Sequence, residues 1–281
     1  MAPSSPLVEA PSGKERGDEN FPVGSLLIRR ELRPHVHAFY RFARNADDIA
    51  DSPLLEADEK LRRLDRMAAV LDGSGGPEAP SASAMRASLE LTGITAQHCH
   101  DILHAFRQDA VKRRYSDWDD LMEYCRYSAS PVGRQLLDLH GESRETWPAS
   151  DALCSALQVL NHLQDCGDDF RALDRIYLPA DLMQAAAMRI EELNDRHGSP
   201  GLRQVIDALL DRTDRLIATA RHLAPKVRAK GLRWESATIA DLAARLSHRL
   251  RRGDPLATRV KLSKLDFAAA FLTGVRVRLS A

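Results

Sequence analysis

The chain has 281 residues, 44% hydrophobic and 28% charged. That is apolar material for a sizeable core, and it excludes wholesale disorder. Lysine plus arginine number 40, as do aspartate plus glutamate, so the formal net charge is zero; a nucleic-acid binder shows a basic excess, so that partner class is not expected.

Residues 1–20 are rich in Pro, Ser, Gly and charge and read as a mobile tail, which leaves 21–281 as one domain. No basic-then-apolar secretory leader and no run of about 18 apolar residues is present. Cys99, Cys125, Cys154 and Cys166 form no C-x-x-C pair and suit a reducing compartment. These features point to a cytoplasmic protein and leave room for peripheral contact at the inner membrane face. Helical periodicity runs over 32–51, 56–71, 96–114, 117–139, 151–170, 202–223, 235–252 and 263–275, and no period-2 strand stands out. Breaks fall at 73–77, 141–142, 179, 198–201 and 253–255. The economical reading is an all-α single domain of about ten helices.

Asp47 and Asp51 stand four apart on the first helix, with Asp48 between them. With Val36 at zero and about 100° per residue, Tyr40 falls at about 40°, Ala43 at about −20°, Asp47 at about 20° and Asp51 at about 60°. The aspartates thus continue an apolar stripe, with Arg44 at its edge. A carboxylate aimed inward is costly unless paired or metal-bound. In the fifth helix Asn161, Asp165 and Asp169 also step by four, with Gln158 one turn earlier. Two such ladders on facing helices suit diphosphate handling. Mg²⁺ takes oxygen ligands from one or two carboxylates and from phosphates, and it neutralises a departing diphosphate. A solvated acidic face is the plainer reading of either ladder alone. His98, Cys99, His100 and His104 lack a second ligand pair and read as an ordinary helix rather than a zinc site.

The motifs resemble those of the squalene/phytoene synthases. Asp47-Asp48-Ile49-Ala50-Asp51 is similar to the family's first aspartate-rich motif. The segment from Gln158 to Asp169, followed by Arg175-Ile176-Tyr177-Leu178-Pro179, is similar to the second. Between them lies Tyr124-Cys125-Arg126-Tyr127-Ser128-Ala129-Ser130-Pro131-Val132-Gly133, which resembles the family's Y-C-x-x-V-A-G-x-V-G helix. The resemblance implies an isoprenoid-synthase helical bundle around a central cavity and Mg²⁺-dependent prenyl chemistry. It implies metal-binding roles for Asp47, Asp51, Asp165 and Asp169. Tyr40, Tyr124, Gln158 and Asn161 would line the catalytic cavity. Arg44 would contact diphosphate, as would Arg259 and Lys261, for which a solvated face is the alternative. Ser128, Val132, Gly133 and Leu136 would line the prenyl channel.

Gln164 stands where the family has arginine, and Ser128, Ser130 and Pro131 where it has valine, glycine and a small residue. Together with 21–25, 32–35 and 105–109, these differences are most similar to the bacterial hopanoid branch, which forms hydroxysqualene from presqualene diphosphate with water and no nicotinamide. Coupling of two farnesyl diphosphates is the alternative within the family. A catalytically inactive helical binding protein is the alternative of another class, and intact aspartates at all four ladder ends argue against it.

Overall fold

The computed structural model describes residues 8–9 and 27–279. The expected tail over 1–20 lies outside the described residues except at Val8 and Glu9, as does the segment 21–25. Val8 is buried in the core. The Glu9 carboxylate accepts hydrogen bonds from the Ser81 N–H at 3.0 Å, the Ser81 hydroxyl at 2.6 Å and the Asn45 amide at 3.1 Å. It caps a helix whose own N-cap, Ala79, has no side-chain acceptor. Burial nonetheless holds its pKa above the usual carboxylate value.

The helices are α1 (Arg33–Asp51), α2 (Ala57–Leu71), α3 (Pro80–Thr92), α4 (Gln97–Val111), α5 (Trp118–Ser128), α6 (Ser130–Leu139), α7 (Trp147–Leu173), α8 (Ala180–Ala185), α9 (Pro200–Ala220), α10 (Leu223–Lys226), α11 (Lys230–Leu250) and α12 (Lys264–Leu279). No strand forms among the described residues, so the all-α expectation holds. Helix α3 escapes the periodicity because its interior is mostly Ser and Ala. Its signals are Pro80 in the first turn and Gly93 in the left-handed region beyond the last. The helix expected over 117–139 is two helices, α5 and α6, that meet at Ala129. Pro131 does not kink a continuous helix; it stands in the first turn of a new one, where its missing N–H costs nothing.

Contacts group the chain into two compact units. The first holds residues up to Lys112 together with Arg134–Gly141, and the second holds Arg113–Gly133 together with everything from Glu142. In the first unit, Phe39, Phe42, Ala46 and Ile49 of α1 pack with Leu64, Met67, Met85, Ile102 and Leu103 of α2, α3 and α4. Burying such side chains is worth about 1.5–3 kcal/mol each. His98 is buried and meets the Asp138 carboxylate at 2.9 Å, which ties α4 to the end of α6. His100 pairs with Asp72 and His104 with Gln108. The histidines thus have structural partners.

The second unit is built on α7, against which α5, α9 and α11 pack, while α12 packs on α11. The start of α6 lies close to α7. A Cβ on Gly133 would collide with the Ser150 hydroxyl and come within 2.7 Å of the Cys154 sulfur, so only glycine permits that approach. The chain then reaches Glu142, whose side chain is 1% exposed. Its carboxylate accepts from the Arg228 N–H at 2.8 Å and the Ala229 N–H at 2.7 Å, at the N-terminus of α11. Replacing Glu142 by Ala should leave those two donors short of an acceptor and cost about 2–4 kcal/mol. Glu142→Gln keeps one acceptor and should cost about half as much, read from thermal or urea unfolding against wild type. Wild-type stability in both variants would show that α11 needs no such cap.

Candidate active site

The first ladder belongs to the first unit. Tyr40, Ala43, Arg44, Asp47 and Asp51 are all half-buried, whereas Phe39, Phe42, Ala46 and Ile49 are buried. The bulky side chains take the core face, so the ladder lies on the flank of that face and not at its centre, as the rotation about the helix had suggested. Arg44 bridges Asp47 at 2.9 Å and Asp48 at 3.1 Å. Asp47 is nevertheless held well above the usual carboxylate pKa, first by desolvation and then by the Asp51 charge, with Asp109 and Asp48 adding and Arg44 opposing. Asp109, on α4, carried no role in the sequence reading; its neighbour Asp47 is 62 positions away by numbering, beyond any local pattern.

This donor set fits a hard cation. Carboxylates that crowd one another beyond what one arginine offsets are relieved by a divalent ion with oxygen preference. Among the described residues no three His, Cys, Asp or Glu side chains enclose an ion by themselves. Mg²⁺ held by one or two carboxylates plus phosphate oxygens needs no such cage.

The second ladder belongs to the second unit. On α7 Gln158, Asn161, Asp165 and Asp169 are half-buried, while Leu160, Leu163 and Cys166 face the core. Asp168 is outside this face; it is exposed and pairs with Arg171 at 2.6 Å. Asp165 accepts a charge-assisted hydrogen bond from Arg259 at 2.8 Å. Gln164 is buried, and its amide donates to the Val260 carbonyl at 2.5 Å. Arg259 and Lys261 share a hollow of about 700 Å³ with Arg245, Arg249, Arg252 and Asp266. Arg249 pairs with Asp266 at 2.6 Å. The hollow carries a net positive charge and suits an anion with several oxygens.

Beside the ladder stands a ring cluster in which the sequence reading assigned a site role to Tyr124 alone, with Arg175 and Tyr177 noted only as part of a motif. Tyr124 is buried, and its hydroxyl lies 3.4 Å from that of Tyr177. Arg175 donates to the Tyr177 hydroxyl at 3.2 Å. Tyr115 stacks on Tyr177 with centroids 5.3 Å apart. His162 stacks on the same ring at 3.4 Å. Desolvation, and then the Arg175 charge, push the His162 pKa down to about 3, so the imidazole is neutral near pH 7. Its Nε2 accepts from the Gln158 amide at 3.2 Å, which links the cluster to the ladder. The spacing of Gln158 and His162, four residues on one helix, was the available signal.

The expected channel residues separate. Gly133 is the contact point with α7. The Ser128 hydroxyl is buried with no hydrogen-bond partner among the described residues. Ser130 is buried, Leu136 is half-buried, and Val132 is 47% exposed. Among the described residues no helix is long and apolar enough to cross a membrane.

A family model for squalene/phytoene synthase matches residues 14–266. A hydroxysqualene synthase of Rhodopseudomonas palustris is 46% identical over 262 residues, 93% of this chain and 89% of that protein. A hydroxysqualene synthase of Zymomonas mobilis is also 46% identical, over 91% of this chain and 86% of its own. The crystal structure of squalene synthase HpnC from Alicyclobacillus acidocaldarius matches with a TM-score of 0.73 and 31% identity, covering 84% of this chain and 90% of that one. The matched segment starts ahead of α1, ends inside α12 and contains both acidic ladders: the chain belongs to the squalene/phytoene synthase family.

Proposed function

We propose that this enzyme is a hydroxysqualene synthase. It ionises presqualene diphosphate, lets the cyclopropylcarbinyl cation rearrange, and captures the product cation with water, with release of diphosphate and a proton. The observation that carries this reading is the 46% identity to hydroxysqualene synthases over more than nine-tenths of the chain. In this reading Asp47, Asp51, Asp165 and Asp169 hold Mg²⁺, which when bound neutralises charge on the leaving diphosphate. Arg44 binds diphosphate oxygens, as do Arg259 and Lys261 on the basic hollow. Tyr40 and Tyr124 present ring faces to the carbocations, an attraction of about 1–2 kcal/mol each in a dry setting. Gln158 and Asn161 orient the reacting groups, and Gln158 is itself held by neutral His162. The unpartnered hydroxyl of Ser128 offers a hydrogen bond to the attacking water, while Val132, Gly133 and Leu136 border the prenyl chain. The exposed Leu265, Phe271 and Leu272 of α12 support peripheral contact with the lipid phase that holds so apolar a substrate.

The deciding incubation supplies Mg²⁺ with presqualene diphosphate or with farnesyl diphosphate, and products are identified by mass. The alcohol should form from the first. Coupled hydrocarbon or presqualene diphosphate formed from farnesyl diphosphate alone would replace this reading with the coupling reaction. Asp165→Asn should slow ionisation roughly a hundredfold or more, the equivalent of a few kcal/mol of lost stabilisation, while the fold is kept. Turnover at the wild-type rate across Mg²⁺ concentrations would remove the second ladder from the chemistry.

Asp47 gives a separate, activity-free expectation. Its raised pKa means the folded state favours the protonated form, so the charged form costs folding stability once pH exceeds the ordinary carboxylate range. Asp47→Asn should therefore raise the melting temperature in chelator at neutral pH and reduce the further rise that Mg²⁺ produces in wild type. The gain in chelator should shrink as pH falls toward the carboxylate range. A lower melting temperature in chelator would mean that Asp47 is stabilised as an ion by Arg44.

A further inference from the structure

We propose that Gln164 is a positioning residue: it pins the segment Arg259–Lys261 against α7 and so sets Arg259 on Asp165. The proposal rests on the reading that the second ladder handles diphosphate. Gln164 is 3% exposed and precedes Asp165 directly. Its amide donates to the carbonyl of Val260, the residue between the two cations. A hydrogen bond to the backbone fixes the register of the segment, which a bond between side-chain tips does not.

The surroundings are built for that approach. A Cβ on Gly167, one turn further along α7, would come 2.6 Å from the Leu256 side chain. A Cβ on Gly253 would come equally close to a Val260 methyl, again 2.6 Å. Glycine at 167 admits Leu256 close to the helix, and glycine at 253 lets the start of the segment close on its own Val260. Asp254 shapes its start by accepting from the Leu256 N–H at 3.0 Å, and Arg203 donates to the Gly253 carbonyl at 3.1 Å. Leu256, Val260 and Arg259 thus meet α7 at Gly167, Gln164 and Asp165.

The Arg259–Asp165 pair is itself partly exposed, at 37% and 27% of the two side chains. Exposed pairs hold a long side chain in place weakly, because rotamer entropy and solvent screening oppose them. A segment already in register supplies what the pair lacks, by confining Arg259 before the anion arrives. The neutrality of the amide also matters. A cationic side chain at 164 would compete with Arg259 for the adjacent carboxylate; glutamine supplies the donor without the charge.

The test uses the full chain with Gln164→Met, which keeps length and volume and removes the donor. Gln164→Glu is a second variant that keeps shape and turns an acceptor on the Val260 carbonyl. Amide hydrogen exchange is followed over 256–262 and along α7, and binding of inorganic diphosphate in Mg²⁺ is followed by calorimetry. Exchange over 256–262 should rise about tenfold with α7 unchanged, the equilibrium worth of one hydrogen bond, and diphosphate should bind several-fold more weakly. Arg259→Ala should then cost less in the Gln164→Met background than in wild type, because the two act through one element. Wild-type exchange over 256–262 in both donor-less variants would overturn the proposal, as would losses from Gln164→Met and Arg259→Ala that simply multiply. If wild type binds no diphosphate in Mg²⁺, the reading of the ladder fails, and the exchange measurement still decides whether Gln164 pins the segment.

Discussion

Carboxylates on half-buried helix faces are expensive, and much of this molecule is organised around that cost. A charge removed from water must find an opposite charge or several donors close by. On α1 the answer is Arg44, one turn before Asp47 and Asp48. On α7 it is Arg259, which comes from a segment 94 residues further along the chain. Arg44 does not offset the whole cost at Asp47. Asp47 remains held toward its protonated form by burial and by Asp51. Residual repulsion of this kind is what a divalent cation removes, and it makes a ladder a better ligand than a fully satisfied ion pair.

Next to the second ladder the molecule keeps its histidine uncharged. His162 is buried, neutral and flat against Tyr177, close enough to Arg175 for the guanidinium to disfavour a second positive charge. An imidazolium there would repel both Arg175 and any cation formed on a substrate. As a neutral ring it completes an aromatic wall with Tyr115, Tyr124 and Tyr177, and its nitrogen still anchors Gln158. Arg175 thus brings a positive charge to the ring cluster, and His162 adds no second one.

Much of this could be read along the chain, for a definite reason. The periodicity of α1 and α7 reports their faces because each turn of a helix repeats the same environment, so Asp47/Asp51 and Asn161/Asp165/Asp169 declare themselves by spacing alone. Helix α3 could not, since serine and alanine carry little contrast between faces. The break at Ala129 was half visible: Pro131 marks a discontinuity but does not say whether a helix bends there or begins anew. Glu9 could not be placed at all, because a capping carboxylate 72 residues from Ser81 leaves no local mark.

By itself, the amino-acid sequence determined the helical class, the spacing of the two ladders and the motifs by which the chain resembles its family. Those depend on residue type and on spacings within single helices. Tertiary structure alone decided that Arg259 rests on Asp165, that Gln164 grips the Val260 carbonyl across 96 positions, that Gly133 is a packing contact and that His162 carries no charge. The reason is common to all four. Pairings between distant residues have no period to detect, and a pKa follows the desolvation and neighbouring charges that exist only once the chain has folded.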